Sequence, residues 1–346
     1  MNAMLARDRY PRAGDVAVLC EGDVAGFDVD LIEKWVAEKA PLVLADVWAC
    51  GTQDSIYGVA DAIGRARPLV VVEDRDYRTR EQASVDCKAK QKDRLKRAAK
   101  VQDWRSWERN EIENYLIEPA VVVPVVAHYF RIDDQELVRA RLESVVTCLS
   151  VDQAAQYALY QFRHGLPSKN RYMTGLPKKK ARPSWNPQQR ALVAPEPAAV
   201  KNALLELLKK SAEDYVNDGQ GINAEQLIRQ FEVKCRDWND DALSSSIWLV
   251  DWAGKDILIF LCRWLAGEFG LFDPNGNQRH LVEWDKLACT KTPDGFTKDM
   301  EVERQIIQDI QPKLVECFLE QLPTMGGDVQ REWESLVEVI RHAANA

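Results

Sequence analysis

Three short apolar runs set the rhythm of the first part of the chain. Residues 15–20, 42–48 and 69–73 are nearly continuous in Val, Leu, Ala, Trp and Cys, the pattern of strands buried on both faces. Between the first two, residues 28–39 put Leu31, Ile32, Trp35 and Val36 on one helical face. Between the second and third, Gly51-Thr52 offers a turn and an N-cap for a helix over 53–66, and Pro68 precedes the last run. This β-α-β-α-β order predicts an α/β fold, with a parallel sheet flanked by helices and joined by right-handed crossovers. The ends of such strands gather on one edge of the sheet.

Beyond residue 86 the pattern turns helical. Residues 87–100 form a basic block with helical character, followed by a segment bearing Trp104 and Trp107 and then by Pro119. Helices are predicted over 120–163, 199–215, 223–234 and 256–269, with two or three more after 296. Residues 165–198 are rich in Pro, Lys, Arg, Ser and Asn and lack apolar periodicity. They are predicted to be a mobile basic loop. The expected division is a catalytic domain over 1–118 and a helical insertion over 119–246. A segment over 247–270 returns to the catalytic domain, and a C-terminal helical region covers 271–346.

Composition narrows the class. With 46% apolar and 29% charged residues the chain reads as an ordinary globular protein. No apolar run approaches the roughly 20 residues that span a bilayer, and residues 1–12 have no apolar signal-peptide core. Eight scattered cysteines without a CxxC pair, and four isolated histidines, speak against a zinc site or a disulfide framework. A cytoplasmic location without membrane attachment is expected. A net charge of −8 means that contact with nucleic acid must rely on local basic patches.

Candidate chemistry lies at the strand ends. The first run ends in Glu21-Gly22-Asp23, and the third in Glu73-Asp74-Arg75-Asp76. Side chains two apart on a strand share a face, so Asp74 and Asp76 can converge, and Glu21 joins them if the strands are neighbours. Carboxylates from different strands at one edge suit Mg²⁺, with Mn²⁺ as the alternative. Phosphodiester cleavage is the reaction such a site serves. Glu73 faces the other way and is expected to be structural.

The order strand-Glu-Gly, helix, strand, helix, strand-Asp-x-Asp resembles the TOPRIM domain of topoisomerases, bacterial primases and OLD-family nucleases. Trp107, Glu111, Ile112, Glu113, Asn114, Tyr115 and Leu116 resemble a signature of stand-alone TOPRIM proteins related to OLD. Some of these are effectors of ATPase-linked phage-defence systems such as PARIS. The start of the helix at Gly254-Lys255-Asp256 resembles a late element of the same group. The resemblance implies metal roles for Glu21, Asp74 and Asp76, a further acid at Glu113, and a catalytic cation at Lys255. Ala25 stands where OLD-like sequences carry Asp, and Asp23 and Asp28 are the candidates to compensate.

Two basic segments complete the picture. Lys88, Lys92, Lys96 and Arg97 leave the edge that carries the acids, and only Asp93 opposes them within the block. Phosphate contact is favoured there over a merely solvated helix face. Lys178, Lys179 and Lys180, close to Trp185, suit RNA or single-stranded DNA, and a plain surface loop is an equal reading. The leading expectation is a Mg²⁺-dependent endonuclease acting on DNA or RNA, tRNA included. It would be an antiphage effector controlled by a separate ATPase and homodimeric through apolar helices after residue 296. The alternative is a non-catalytic TOPRIM scaffold that binds nucleic acid or a partner protein. A primase-like nucleotidyl transferase ranks last.

Overall fold

The computed structural model describes residues 16–22, 27–97, 99–164, 182–186, 188–215, 224–272, 278–279 and 298–346. Asp23, Ala25 and Lys178–Lys180 lie outside them. The chain divides into two units: residues 1–116 with 311–346, and residues 117–310.

The first unit is built on β1 (Val16–Cys20), β2 (Ala45–Ala49), β3 (Leu69–Glu73) and β4 (Val101–Ser106). They form one parallel sheet in the order β2-β1-β3-β4. Helices α1 (Phe27–Lys39), α2 (Gln53–Ile63) and α3 (Arg80–Lys96) make the crossovers. The parallel α/β frame expected from the sequence is therefore present, with one strand more than the three apolar runs indicated.

The alternation of β1 and β3 splits the core between the two faces of the sheet. Ala17, Leu19, Leu69 and Val71 pack with Ile56, Val59 and Ala60 of α2 and Cys87 of α3. Val16, Val18, Cys20, Val70 and Val72 have the opposite parity and are also fully buried. Helix α1 lies on that side together with a helix from the far end of the chain, Gly327–Ala344, numbered α12 below. The indole N–H of Trp35 donates to the Trp333 carbonyl at 3.0 Å. Trp107 stacks on Trp333 at 5.0 Å, and Tyr115 and Phe318 close the aromatic cluster around Trp333 at 5.7 and 5.2 Å.

That packing corrects the expected C-terminal division. Residues 311–346 belong with the sheet rather than to a separate region, because the Trp107–Tyr115 surface is covered by Trp333 and Phe318. It also bears on the apolar surface expected after residue 296. Ile306, Ile310, Leu314 and Phe318 are at most 1% exposed, while Ile307, Cys317 and Leu319 are half-buried.

The second unit is mostly helical. The first unit's leading stretch ends with α4 (Glu113–Leu116), and the second unit opens with α5 (Pro119–Phe130) and α6 (Gln135–His164). A hairpin follows, β5 (Ser184–Asn186) with β6 (Ala191–Val193), then α7 (Pro197–Tyr215), α8 (Ala224–Asp241), α9 (Trp248–Asp251) and α10 (Gly254–Phe269). A short pair, β7 (Leu271–Phe272) and β8 (Gln278–Arg279), precedes α11 (Lys298–Gln321), whose residues from Gln311 on belong to the first unit. Two expectations change here. The stretch 165–198 carries a hairpin and the start of a helix among its described residues. The segment 247–270 groups with the helices of the second unit, where α10 packs on α5 and α6.

Candidate functional site

In an open parallel sheet, ligands bind at the carboxyl ends of the strands where the chain reverses its direction of winding. Here β1 leads outward to β2, while β3 leads the other way to β4. The crevice therefore falls between the ends of β1 and β3. Glu21 directly follows β1, and Asp74 directly follows β3. Cys20 pairs with Val72 in the register, so the two acids leave adjacent strands within two residues of each other in height.

The backbone around them is tightly turned. Gly22 has φ +97° and forms a two-bond bridge with Gly51, N to O at 3.0 and 2.9 Å. A Cβ on Gly22 would stand 3.0 Å from the Asp28 carboxylate, so glycine permits the close approach of that acid. Asp28, at the start of α1, is buried. On the other strand Asp76 and Tyr77 both take the left-handed conformation, at φ 52° and 58°. Arg78, 2% exposed, ties the turn together. Its Nε donates to the Arg75 carbonyl at 2.8 Å, its Nη2 to the Asp74 carbonyl at 2.6 Å, and its Nη1 to Glu73 at 3.0 Å.

The neighbouring carboxylates have opposite fates. Glu73 is fully buried and receives the Lys90 ammonium at 2.7 and 2.8 Å, the Trp104 indole at 3.0 Å and Arg78. Burial pushes this carboxyl up, and the Lys90 and Arg78 charges more than reverse the effect, leaving it below its usual value. Glu73 is thus a structural ion-pair residue on the α2–α3 face.

Glu21 and Asp74 have no such support. Glu21 Oε1 and Asp74 Oδ1 are shut off from solvent and have no hydrogen-bond partner. Burial, followed by the charge of Asp76, pushes Glu21 up to about 9. Burial, then the charges of Asp28 and Glu21, pushes Asp74 well above the carboxylate range. Burial raises Asp76 to about 6 against the opposing pull of Arg78. Glu21, Asp28, Asp74 and Asp76 form one electrostatic cluster, and Glu111 adds a smaller like-charge effect on Asp74.

The donor chemistry fits a hard divalent cation: all oxygen, several carboxylates, two oxygens buried and unpartnered. The side-chain positions are less closed than the sequence led us to expect. Among the described residues, no three Asp, Glu, His or Cys side chains are disposed to hold one ion together. A cation bound among Glu21, Asp74 and Asp76 would offset the repulsion between their charges.

The other expected site residues distribute unevenly. Glu113, the first residue of α4, is half-buried, and its neighbour Glu111 is the one that bears on Asp74. Lys255 is the exposed second residue of α10 and belongs to the other unit. In α3, Lys88, Lys92 and Lys96 are exposed and recur every fourth residue on one face. Arg97 is engaged by Asp93 at 3.2 Å and Asp61 at 3.7 Å, which weakens its claim as a phosphate contact. The helix starts at the acid-bearing edge and runs away from it, because parallel strands need a return crossover.

Nothing among protein-family models, curated proteins or solved structures matches this chain. The site must therefore be interpreted from its own residues. Sequence reasoning missed two of them, Arg78 and Asn110. Arg78 carries no local signal, since its role depends on carbonyls that only the turn brings together. Asn110 precedes the Glu111–Leu116 signature, where its proximity to the acidic turn was invisible.

Proposed function

We propose that this protein is a TOPRIM-like, Mg²⁺-dependent phosphodiesterase acting on nucleic acid, with Glu21, Asp74 and Asp76 as its metal-holding residues. The observation that carries the proposal is the pair of buried, unpartnered oxygens, Glu21 Oε1 and Asp74 Oδ1, at adjacent strand ends. A buried carboxylate oxygen without a partner costs free energy unless a proton or a cation compensates it. A bound divalent ion would supply charge neutralisation for a phosphate and for the oxygen leaving it. Asp28 adds negative charge beside the three acids, in the role left open by Ala25.

The chain's own residues divide the work. Glu21 and Asp74, ionised, would hold the ion from the ends of β1 and β3. Asp76, on the strained turn, would be the third holding residue. Gly22 leaves room on the β1 side for a phosphate to approach the backbone. Lys88, Lys92 and Lys96 form a basic row on α3 spaced by about 6 Å per step, close to the spacing of successive phosphates along one strand. Glu113 and Lys255 belong to the proposal through the resemblance, as does control by a separate ATPase, and Lys178–Lys180 join it as a basic run close to Trp185 in the sequence.

A second reading is a TOPRIM-like scaffold that binds nucleic acid or a partner without cutting. The open disposition of the carboxylates favours it. Incubating the full chain with plasmid, single-stranded DNA and tRNA, with Mg²⁺, Mn²⁺ or EDTA, separates the two. Cleavage that needs the ion and is lost in Glu21→Gln supports the nuclease. Binding without cleavage under every condition supports the scaffold.

A further inference from the structure

We propose that Asn110 is the positioning residue of the acidic turn, holding Asp74 and Asp76 in the geometry that receives the metal. This inference rests on the metal-site reading above. Three consecutive backbone N–H groups are directed at this one residue. Arg75 N donates to the Asn110 carbonyl at 2.9 Å, Asp76 N to the same oxygen at 3.2 Å, and Tyr77 N to the side-chain Oδ1. Successive amides that converge this way form a nest, a concavity that attracts an anion or an oxygen. Asn110 is fully buried and fills the nest with its two oxygens.

The turn needs this support. Asp76 and Tyr77 are adjacent non-glycine residues in the left-handed region, each costing about 1–2 kcal/mol. Such a conformation persists only where its surroundings over-determine it. The base that carries Asn110 is itself fixed. Trp107 N donates to the Glu73 carbonyl at 3.1 Å, and Glu111 N to Asn114 Oδ1 at 3.0 Å. Arg109 Nη1 donates to the Asn114 carbonyl at 2.7 Å. Glu108 N reaches Glu332 of α12 at 2.7 Å, and the Tyr115 hydroxyl donates to the same carboxylate. A line of contacts thus runs from α12 through residues 107–115 to the turn that carries both aspartates. Asn110 touches neither metal nor substrate in this scheme, because it acts through the backbone of residues 75–77.

Mn²⁺ binding to the full-length chain, followed by electron paramagnetic resonance, tests the assignment without relying on cleavage. The comparison takes wild type, Glu21→Gln, Asn110→Ala, Asn110→Asp and Ile340→Val. Ile340, fully buried in α12, controls for simple loss of stability. Asn110→Ala should weaken Mn²⁺ binding about tenfold or more, as loss of a residue that orients metal ligands does. Asn110→Asp keeps the acceptor for Tyr77 N–H and should stay within about threefold of wild type, or bind more tightly. Ile340→Val should melt earlier yet bind as wild type. Unchanged affinity in Asn110→Ala, or a tenfold loss in Asn110→Asp, overturns the positioning role while leaving the metal site intact. Equal weakening in Ile340→Val overturns it too. Failure of wild type to bind Mn²⁺ any better than Glu21→Gln removes the metal reading and the positioning role with it.

Discussion

The sharpest test of the electrostatic argument is Glu21→Gln in the metal-free protein. Glu21 is raised from an ordinary value near 4.5 to about 9, chiefly by burial and then by Asp76. A carboxyl with a raised folded-state value stabilises the fold fully below its unfolded value and loses that contribution as pH climbs towards the folded value. Between pH 5 and pH 8 the unfolded chain has released this proton and the folded chain has kept it. The slope for one proton is about 1.4 kcal/mol per pH unit, so wild type should lose about 4 kcal/mol relative to the glutamine variant across that interval. Glutamine cannot ionise, and it fills nearly the same volume. Urea unfolding in EDTA, followed by tryptophan fluorescence at pH 5, 6.5 and 8, reads the difference between the two proteins. The glutamine variant should gain steadily on wild type as pH rises. Adding Mg²⁺ should then stabilise wild type at pH 8 far more than the variant. A difference between the two proteins that stays constant from pH 5 to pH 8 would refute the picture of an uncompensated buried carboxylate.

Other expectations follow from the same geometry. Gly22→Ala places a Cβ 3.0 Å from Asp28 at φ +97°, so it should cost about 1–3 kcal/mol by urea unfolding and weaken Mn²⁺ binding. Reversing the charge of Lys88, Lys92 and Lys96 together should weaken nucleic-acid binding and lower the salt slope by about 2–3, the value for three lost phosphate contacts; an unchanged slope would leave the row as a solvated helix face. Tyr115→Phe removes the hydroxyl bonded to Glu332, a carboxyl raised to about 7 mainly by burial. The variant should lose about 1–2 kcal/mol of stability, read from denaturant midpoints. Leu314→Asp should unfold the first unit rather than split a dimer, because Leu314 is fully buried; light scattering beside circular dichroism distinguishes the two.

How much of this was legible in the chain depends on how local each signal is. Strands β1 and β3 announce themselves as unbroken apolar runs, and their acids stand at the first positions beyond them. Strand β4 hides because only Val101 and Trp104 are buried in it. A register shift against β3, with Leu69 opposite Val101 and Val70 opposite Asp103, spoils its alternation. The basic block could not be sorted by eye. Lys90 is drawn to Glu73 and Arg94 to Asp61, while Lys88, Lys92 and Lys96 stay on the surface. Only the partners, seventeen and thirty-three residues away for Lys90 and Arg94, decide which cation is structural. The signature around Glu111–Leu116 was visible as a motif, but its physical work was not. That work depends on Glu332 and Trp333, far along the chain.

That distance sets the order of events during synthesis. The bond from Trp35 to the Trp333 carbonyl joins residues 298 positions apart. At about 5–20 residues per second, a ribosome needs roughly 15–60 s to pass from one to the other. Over that interval the α1 face of the sheet lacks α12, and Glu108 and Tyr115 lack Glu332. The segment bearing Asn110 therefore gains its anchors on Glu332 only when α12 arrives. The acid-bearing edge is made long before α12, yet its completion waits for that helix.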